Sequence, residues 1–376
     1  MTLLKPIRVG LVGGGAVARA HVSGFINVPD FFATDTGFER RIIAEATPEL
    51  ARKAAKRWGF KQATAYWKEV TRSNEIDLVD VVTPTYLHVE PSIDALEHGK
   101  SVLCEKPLAT NSQDARRMLD TARRAGVTTM VGFNYRRVPA VTLARQMIKE
   151  GRLGRIYQIR SQFFEDWGGP DCPHTWRFKS ETAGAGALAD LGSHALDMVR
   201  YLVGEPVEVC SLQGRFIDER KLIGKKRSAR SNVDDTAMVL LRIEGGIVGE
   251  VAASWLATGR KVALDFEVHG SEGSLSFSME RPNELNHYSS KDPRDARGFK
   301  RIYFGSHHPY GSTLIFGSPS LGTGYVDSLV NQMHDLMIAM REETQIEPSF
   351  YDGWKVNVAI DAILESSRKG RWIRVG

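Results

Sequence analysis

The sequence predicts an α/β protein: a doubly wound parallel sheet with covering helices over residues 1–132, then an α+β domain over 133–376 built on a large open, mostly antiparallel sheet. Three observations lead there. Up to about residue 130, short β-branched runs alternate with stretches of helical period, as βαβ units require. Beyond it, strands follow one another with few helices between them, and glycines sit where hairpins would turn. The composition, 42% hydrophobic and 25% charged over 376 residues, is that of a globular chain long enough for two cores.

Taken in order, the first five strands are Ile7–Val12, Arg41–Glu45, Leu78–Val82, Ser101–Cys104 and Thr128–Gly132. Each is apolar on both faces, the mark of a buried parallel strand. Between them Pro48–Trp58 reads as a helix opened by proline and closed before Gly59, and Ser112–Ala125 as one opened by serine and closed by Gly126. A helix over Ala140–Lys149 starts the second part. Strands are predicted near 155–164, 207–217, 234–243, 247–256, 262–268 and 273–278, with helices at 186–202, 326–342 and 352–367. Gly245-Gly246 and the Gly270 to Gly273 stretch supply two hairpin turns. The stretch Met279–Gly324, rich in Gly, Pro, Ser and aromatics, reads as one long connection, a lid over a site. Its His307-His308 pair has neither helical spacing nor a carboxylate partner, so no metal is expected there.

Charge and cysteine usage narrow the classes. The net charge of +5 is a small difference between 50 basic and 45 acidic residues, which speaks for solubility before a polyanionic partner. Only 215–230 is locally basic, with Arg215, Arg220, Lys221, Lys225, Lys226, Arg227 and Arg230 against Asp218 and Glu219; it reads as a solvated hairpin loop, and no nucleic acid is expected. Cys104, Cys172 and Cys210 form no disulfide framework and no C-x-x-C pair, as suits a reducing cytoplasm. The apolar run Ile7–Ala20 contains glycines and Arg19, so it reads as strand, turn and helix rather than a signal peptide. No stretch approaches the roughly 18 apolar residues that would span a bilayer, so no membrane is expected.

The chemistry starts directly after the first strand. Gly13-Gly14-Gly15-Ala16-Val17-Ala18 fits G-x-G-x-x-A and runs into a helix, the context in which that motif binds a dinucleotide. Gly13 permits the tight turn, Gly15 clears the approach of a pyrophosphate, and Ala18 lets helix and strand pack closely. The free N–H groups at the helix start, around Ala16 and Val17, face the anion. At the end of the second strand Glu45 is placed to accept both hydroxyls of an adenosine ribose. It stands 30 residues after Gly15 where about 20 is typical, which reads as an insertion over Val28–Glu39. A carboxylate repels a 2′-phosphate and no arginine directly follows, so NAD is favoured over NADP.

Two more strand ends fall on the carboxyl edge where such sheets hold ligands: Thr83-Pro84-Thr85-Tyr86-Leu87-His88 and Cys104-Glu105-Lys106-Pro107. Lys106 is a cation placed where the nicotinamide end of the cofactor should lie, and partial desolvation would suit it to polarise a hydroxyl. Further on, a glycine turn at Gly184–Gly186 leads into a helix with Asp190 and His194 at i, i+4, so that a carboxylate and an imidazole share one face. An imidazole accepts a hydroxyl proton near neutral pH, and a carboxylate can fix its tautomer. Asp197, three residues on, competes for the same ring.

These pieces in this order resemble the Gfo/Idh/MocA family of glucose-fructose oxidoreductase, inositol dehydrogenase and rhizopine catabolism proteins. The likeness runs nearly end to end through Gly13–Ala18, Thr83-Pro84 with His88, Glu105-Lys106-Pro107, Gly132-Phe133-Asn134-Tyr135-Arg136, Trp176-Arg177-Phe178, Asp190 with His194, Gly324-Tyr325 and Phe350-Tyr351-Asp352-Gly353. The resemblance implies a Rossmann domain, a sheet domain that commonly mediates homodimers or homotetramers, and an active site between them. It places Lys106 at the catalytic lysine position, His194 at that of the general base with Asp190 as partner, and Glu105 on the nicotinamide ribose. Thr83, Pro84, His88, Trp176 and Arg177 join the cofactor residues, and the Lys106-Pro107 peptide is expected to be cis. The implied reaction is NAD-dependent oxidation of a secondary ring hydroxyl of a sugar, anhydrosugar, glycoside or inositol, with Tyr135, Arg136, Trp167 and His174 as candidate sugar contacts. Two other readings share the scaffold: a redox-neutral enzyme that keeps its NAD and cleaves a glycosidic bond, and a silent dinucleotide sensor.

Overall fold

The computed structural model describes residues 5–34, 36–313 and 322–376. They fall into two units, one running to Arg137 and joined by Gly324–Lys355, the other comprising Val138–Thr323 and Val356–Gly376.

The first unit holds a parallel sheet. Its elements are β1 (Ile7–Val12), α1 (Ala16–Phe32), β2 (Phe38–Ala44), α2 (Pro48–Trp58), β3 (Gln62–Thr64), α3 (Trp67–Thr71), β4 (Leu78–Val81), α4 (Val89–Glu97), β5 (Ser101–Cys104), α5 (Ser112–Ala125) and β6 (Thr129–Val131). The strand order β3-β2-β1-β4-β5-β6 reverses direction of winding between β1 and β4, the switch point at which such sheets bind their ligands. Every residue of β4, β5 and β6 is buried. The short strand β3 escapes sequence reading because Gln62-Ala63-Thr64 carries almost no apolar signal. Thr47 caps α2, its hydroxyl accepting from the Leu50 N–H, and Asn111, not Ser112, caps α5 by accepting from Asp114.

The insertion expected over Val28–Glu39 is mostly regular structure: helix α1 continues to Phe32 through Pro29, and β2 starts at Phe38. The reason is packing: Phe25 and Val28 are buried on the extended part of α1.

The second unit starts with α6 (Pro139–Lys149) and β7 (Ile156–Phe164), followed by α7 (Ser180–Ala183), α8 (Ser193–Val203), β8 (Pro206–Gly214), β9 (Glu219–Lys221), β10 (Ser228–Arg230), β11 (Thr236–Ile243), β12 (Ile247–Ser254), β13 (Ala263–Gly270) and β14 (Gly273–Ser278). Then come β15 (Glu284–Ser289), β16 (Lys300–Tyr303) and, after the chain has returned to the first unit for α9 (Tyr325–Arg341) and the start of α10 (Phe350–Lys369), the rest of α10 and β17 (Ile373–Arg374). Nine strands form one open sheet in the order β16-β15-β14-β13-β7-β12-β11-β8-β17, antiparallel except where β12 runs parallel to β7. Burial alternates along β11, with Ala237, Val239, Leu241 and Ile243 inward and Met238 and Leu240 exposed, which fixes its register. The basic stretch forms the β9–β10 hairpin. The long connection expected over Met279–Gly324 contains β15 and β16, which extend the sheet; residues 314–321 lie outside those described. His308 turns inward within that stretch, its Nδ1 accepting the Gly305 N–H.

A single boundary at 132 does not describe these units, because α9 belongs to the first. Leu329, Val330, Met333, Leu336 and Met337 of α9 are buried in one cluster with Phe25 and Val28 of α1 and with Ile7, Val9, Leu78, Leu103 and Met130 of the sheet. Each large apolar side chain so buried contributes about 1.5–3 kcal/mol, enough to decide where the helix packs regardless of its distance along the chain. Gly24 allows the approach, since a Cβ there would lie 3.0 Å from the Leu329 carbonyl oxygen.

Candidate active site

The carboxyl edge of the parallel sheet gathers the first set of residues. Gly13 has φ +101°, and a Cβ on it would come within 3.0 Å of the Val82 and Thr83 backbone, so the turn after β1 is pressed against the end of β4. Gly15 is different. Its φ of −70° is open to any residue, and a Cβ on it would meet no protein atom within 4 Å. The protein itself therefore does not require glycine there, whereas an incoming pyrophosphate would. Gly15 is also the N-cap of α1 and gives no side-chain cap, so the first N–H groups of the helix, Ala16 and Val17 among them, have no capping partner. Glu45 directly follows β2, with its Oε2 accepting the Ala46 N–H, and lies so close over Gly14 that a Cβ there would stand 2.4 Å from Oε1. These residues fit a dinucleotide: an open glycine cradle, a bare helix start and a carboxylate beside them.

At the end of β4, the Thr83 hydroxyl is buried with no hydrogen-bond partner among the described residues. His88 is buried, with Nε2 2.9 Å from the Thr83 oxygen and Nδ1 3.1 Å from the Pro107 oxygen. It braces the two turns that follow β4 and β5, and burial holds its pKa below the ordinary histidine value. Pro84 leads from Thr83 into the short helical turn Thr85–Leu87. After β5 come Glu105 and Lys106, both half-buried, and the Lys106-Pro107 peptide is cis. Glu105 Oε2 accepts the Lys106 N–H at 3.2 Å. Burial works to raise the Glu105 pKa, but the hydrogen bond and charge of His21, with the charge of Lys106, hold it below the usual carboxylate value.

Also in the first unit, Tyr135 and Arg136 lie on a short helical turn over Asn134–Arg137. The Tyr135 ring is buried 5.8 Å from that of Tyr325. Arg136 is buried with its guanidinium 3.0 Å from Asp352 at the start of α10, so it ties that segment to the turn after β6.

In the second unit, Asp190 sits not in a regular helical turn but in a wide π-type turn over Leu188–Gly192, and His194 in the first turn of α8. That wider turn departs from the 3.6 residues per turn that would set Asp190 and His194 on one helical face. The Nε of Arg177 lies 3.3 Å from Asp190 Oδ2, and its guanidinium covers the Trp176 ring at 4.5 Å. His194 is buried, its ring 5.8 Å from that of Phe163. Trp167 packs on Trp255 and Phe178 at 5.2 and 6.2 Å. His174 is held by the basic hairpin, its N–H donating to the Lys221 oxygen and its Nε2 3.2 Å from the Arg230 oxygen.

With that geometry in hand, the comparisons decide the family. One family model, described as an oxidoreductase family with an NAD-binding Rossmann fold, matches residues 7–133, and a second, the GFO/IDH/MocA C-terminal domain, matches 141–276. A levoglucosan dehydrogenase from Pseudarthrobacter phenanthrenivorans is 40% identical over 99% of both chains. The chain belongs to the Gfo/Idh/MocA oxidoreductase family. A solved levoglucosan dehydrogenase in complex with NADH and levoglucosan superposes with a TM-score of 0.96 at 41% identity, covering 99% of this chain and 100% of that one. An inositol 2-dehydrogenase from Rhizobium meliloti is 26% identical over 98% of this chain and 99% of its own.

Buried charged and titratable residues that the sequence alone does not single out surround these site residues. His21 on α1 and Asp80 in β4 are fully buried beside Glu105. Asp234 accepts the N–H groups of Gly186 and Leu188, at 2.7 and 2.8 Å, and so fixes the turn that leads to Asp190. Arg220 and Asp235 form a wholly buried ion pair beneath Trp255 and Phe178. Asp80 alone carries a local signal, a charged residue inside the apolar run Leu78-Val79-Asp80-Val81-Val82, whereas Arg220, Asp234 and Asp235 stand among polar neighbours. Among the described residues no helix is long and apolar enough to cross a membrane, and no group of three His, Cys, Asp or Glu residues could hold a metal ion.

Proposed function

We propose that this protein oxidises a secondary ring hydroxyl of a sugar of the anhydropyranose kind to a ketone, with NAD preferred over NADP. The supporting observation is end-to-end likeness, 40% identity over 99% of both chains, to an enzyme named for levoglucosan, in a chain that has Glu105 and Lys106 on the same sheet edge as its glycine cradle. NAD, when bound, supplies the two-electron acceptor.

The chain's own groups supply the rest. His194 accepts the hydroxyl proton, the general-base role open to an imidazole. Lys106 stabilises the negative charge that grows on that oxygen. Asp190 and Arg177 set the charge around the turn that leads into α8. Glu105 orients the nicotinamide ribose, Glu45 accepts the adenosine ribose hydroxyls, and the Glu45 charge disfavours a 2′-phosphate. Tyr135, Trp167, His174 and Trp176 offer aromatic faces and donors to a pyranose, while the pairing of Arg136 with Asp352 makes it a brace for the residues around it. The chain further assembles as a homodimer or homotetramer through the outer face of the second sheet, where Leu212, Met238, Leu240 and Val248 are exposed side by side; light scattering should give two or four times the monomer mass.

The test is NADH absorbance with levoglucosan, other anhydrosugars, glycosides and inositols. One NADH should form per sugar oxidised, and product without NADH would replace this reading with a redox-neutral one. Lys106→Ala and His194→Ala should each lower kcat by at least about a thousandfold while leaving NADH binding within a few-fold. Full turnover in either variant removes that residue from the mechanism.

A further inference from the structure

The most unusual cluster in the first unit lies directly behind Glu105. His21 is fully buried, and both of its ring nitrogens face carboxylates: Nδ1 lies 3.0 and 3.1 Å from the two oxygens of Asp80, and Nε2 3.0 Å from Oε1 of Glu105. A neutral imidazole has one N–H and could satisfy only one of these acceptors. The other nitrogen would then present a lone pair to a carboxylate oxygen at 3.0 Å, on a fully buried ring. A ring with protons on both nitrogens satisfies both sides, and its charge offsets one of the two carboxylates.

We propose that His21 is a positioning residue: an imidazolium strapped between Asp80 and Glu105 that fixes the Glu105 carboxylate and, through it, the turn presenting Lys106. The chain of contacts is continuous. Asp80 in β4 holds His21 in α1; His21 holds Oε1 of Glu105; the other oxygen of Glu105 accepts the Lys106 N–H. Gly132, after β6, makes the arrangement possible, because a Cβ there would stand 2.4 Å from the same Oε1.

The charges facing the cluster are consistent with it. Burial opposes a charged His21, but the two carboxylates outweigh burial and hold its pKa up at about 10. Asp80 is pushed up by burial, which the charge and hydrogen bond of His21 partly offset. Lys106 and His88 are the other charged or titratable groups acting on Glu105, and the Cys104 thiol between the strands is pushed well up by burial and stays neutral. With His21 charged, Glu105 stays ionised and fixed across the whole working range of pH.

This inference deepens the proposed function, since it assigns Glu105 and Lys106 their setting, and its test has one arm that does not depend on any sugar. In the full-length protein labelled with ¹⁵N-histidine, the ring signals lost in His21→Gln should report two protonated nitrogens from pH 6 to 9. One protonated and one bare nitrogen at pH 8 would overturn the proposal even if the enzyme turns over levoglucosan. In the second arm, NADH affinity is followed by fluorescence between pH 6 and 9 in the wild type and in Asp80→Asn, which touches neither Glu105 nor Lys106 directly. Removing the Asp80 charge should let His21 titrate near neutrality, so NADH affinity in the variant should fall at least tenfold as pH rises through that range while the wild type stays flat. A loss that is the same at every pH means a merely structural Asp80, and unchanged affinity means no role; either result refutes the positioning claim. Failure of every sugar to reduce NAD would refute the proposed function and leave both arms readable.

Discussion

Substitution of Asp235 by asparagine should be among the most damaging isosteric changes in the second unit. Four donors converge on this carboxylate: Oδ1 accepts from Arg220 Nη2 at 3.0 Å and Trp255 Nε1 at 2.7 Å, and Oδ2 from the N–H groups of Phe216 and Ile217 at 2.7 and 3.0 Å. Neither member of the Arg220–Asp235 pair has any exposed side-chain surface. Asparagine keeps one accepting oxygen but turns an NH₂ group toward two donors, and it leaves the guanidinium buried without a counter-charge. The expected cost is about 3–5 kcal/mol, the range for removing one partner of a buried ion pair. In a unit of roughly two hundred residues each kcal/mol shifts Tm by about 2–4 °C, so Tm should fall by about 6–20 °C. Arg220→Met should cost less, because Asp235 keeps three donors and methionine fills the space over Phe178, whose ring the guanidinium covers at 3.9 Å. In calorimetry of the two single variants and the double variant, Asp235→Asn with Arg220→Met should be more stable than Asp235→Asn alone. Additive losses, or an Asp235→Asn Tm within 2 °C of wild type, would show that the buried pair contributes little to holding this region together.

Three further outcomes follow from the first unit. Gly15→Val should leave Tm unchanged, since no protein atom lies within 4 Å of a Cβ there, yet weaken NADH binding at least tenfold in a fluorescence titration; a fall in Tm with NADH binding intact would overturn the cradle assignment. Glu45→Ala should weaken NAD and raise the activity with NADP relative to NAD, and an unchanged preference would remove the argument that this carboxylate rejects the 2′-phosphate. Asp94 gives a pH dependence: burial raises its pKa, but the hydrogen bonds from Arg72 and Thr71 outweigh burial and hold it below the ordinary aspartate value. The stability it contributes is therefore present above the unfolded aspartate pKa and is lost as pH falls through the depressed folded value. Asp94→Asn should be less stable than wild type by about 1–2 kcal/mol at pH 7 and approach it as pH falls through the depressed folded pKa, as read from urea midpoints; parallel curves would contradict the coupling.

Much of this architecture is written locally. The helices Pro48–Trp58 and Ser112–Ala125 are legible because proline, threonine or asparagine starts them and a left-handed glycine ends them, at φ 70° and 68°. The hairpins at Gly245-Gly246 and at Gly270 to Gly273 are legible for the same kind of reason. What the sequence hides is whatever depends on distant partners. Residues 326–342 read correctly as a helix, but only the match of their Leu329–Met337 face to Phe25 and Val28 decides which unit they join. Strands β15 and β16 vanish into a polar stretch because they form the margin of an open sheet, with β16 at its edge, and carry little apolar surface. Among site residues, Gly13, Gly15, Glu45, Glu105 and Lys106 stand out because they follow strands directly. His21 and Asp80 do not, because their meaning lies in each other, 59 residues apart.

Two glycines on the sheet edge do the same physical task for two carboxylates: Gly14 clears Oε1 of Glu45, and Gly132 clears Oε1 of Glu105, each leaving 2.4 Å to a Cβ that does not exist. Neither has a backbone conformation that demands glycine, so the demand comes from the carboxylates. Gly132→Ala puts this to the test at Glu105. The new methyl group would displace Oε1, the atom that accepts from His21, and a carboxylate moved off a buried imidazolium forfeits a charged hydrogen bond worth about 1.5–3 kcal/mol. Stability in urea should drop by that amount, and NADH affinity should drop with it, because a displaced Glu105 no longer meets the ribose in the proposed mode. If Gly132→Ala loses stability but binds NADH as tightly as wild type, Glu105 is a structural partner of His21 and the ribose contact must be reassigned. If it loses neither, the 2.4 Å contact relaxes without consequence, and the glycine reflects no constraint from the carboxylate.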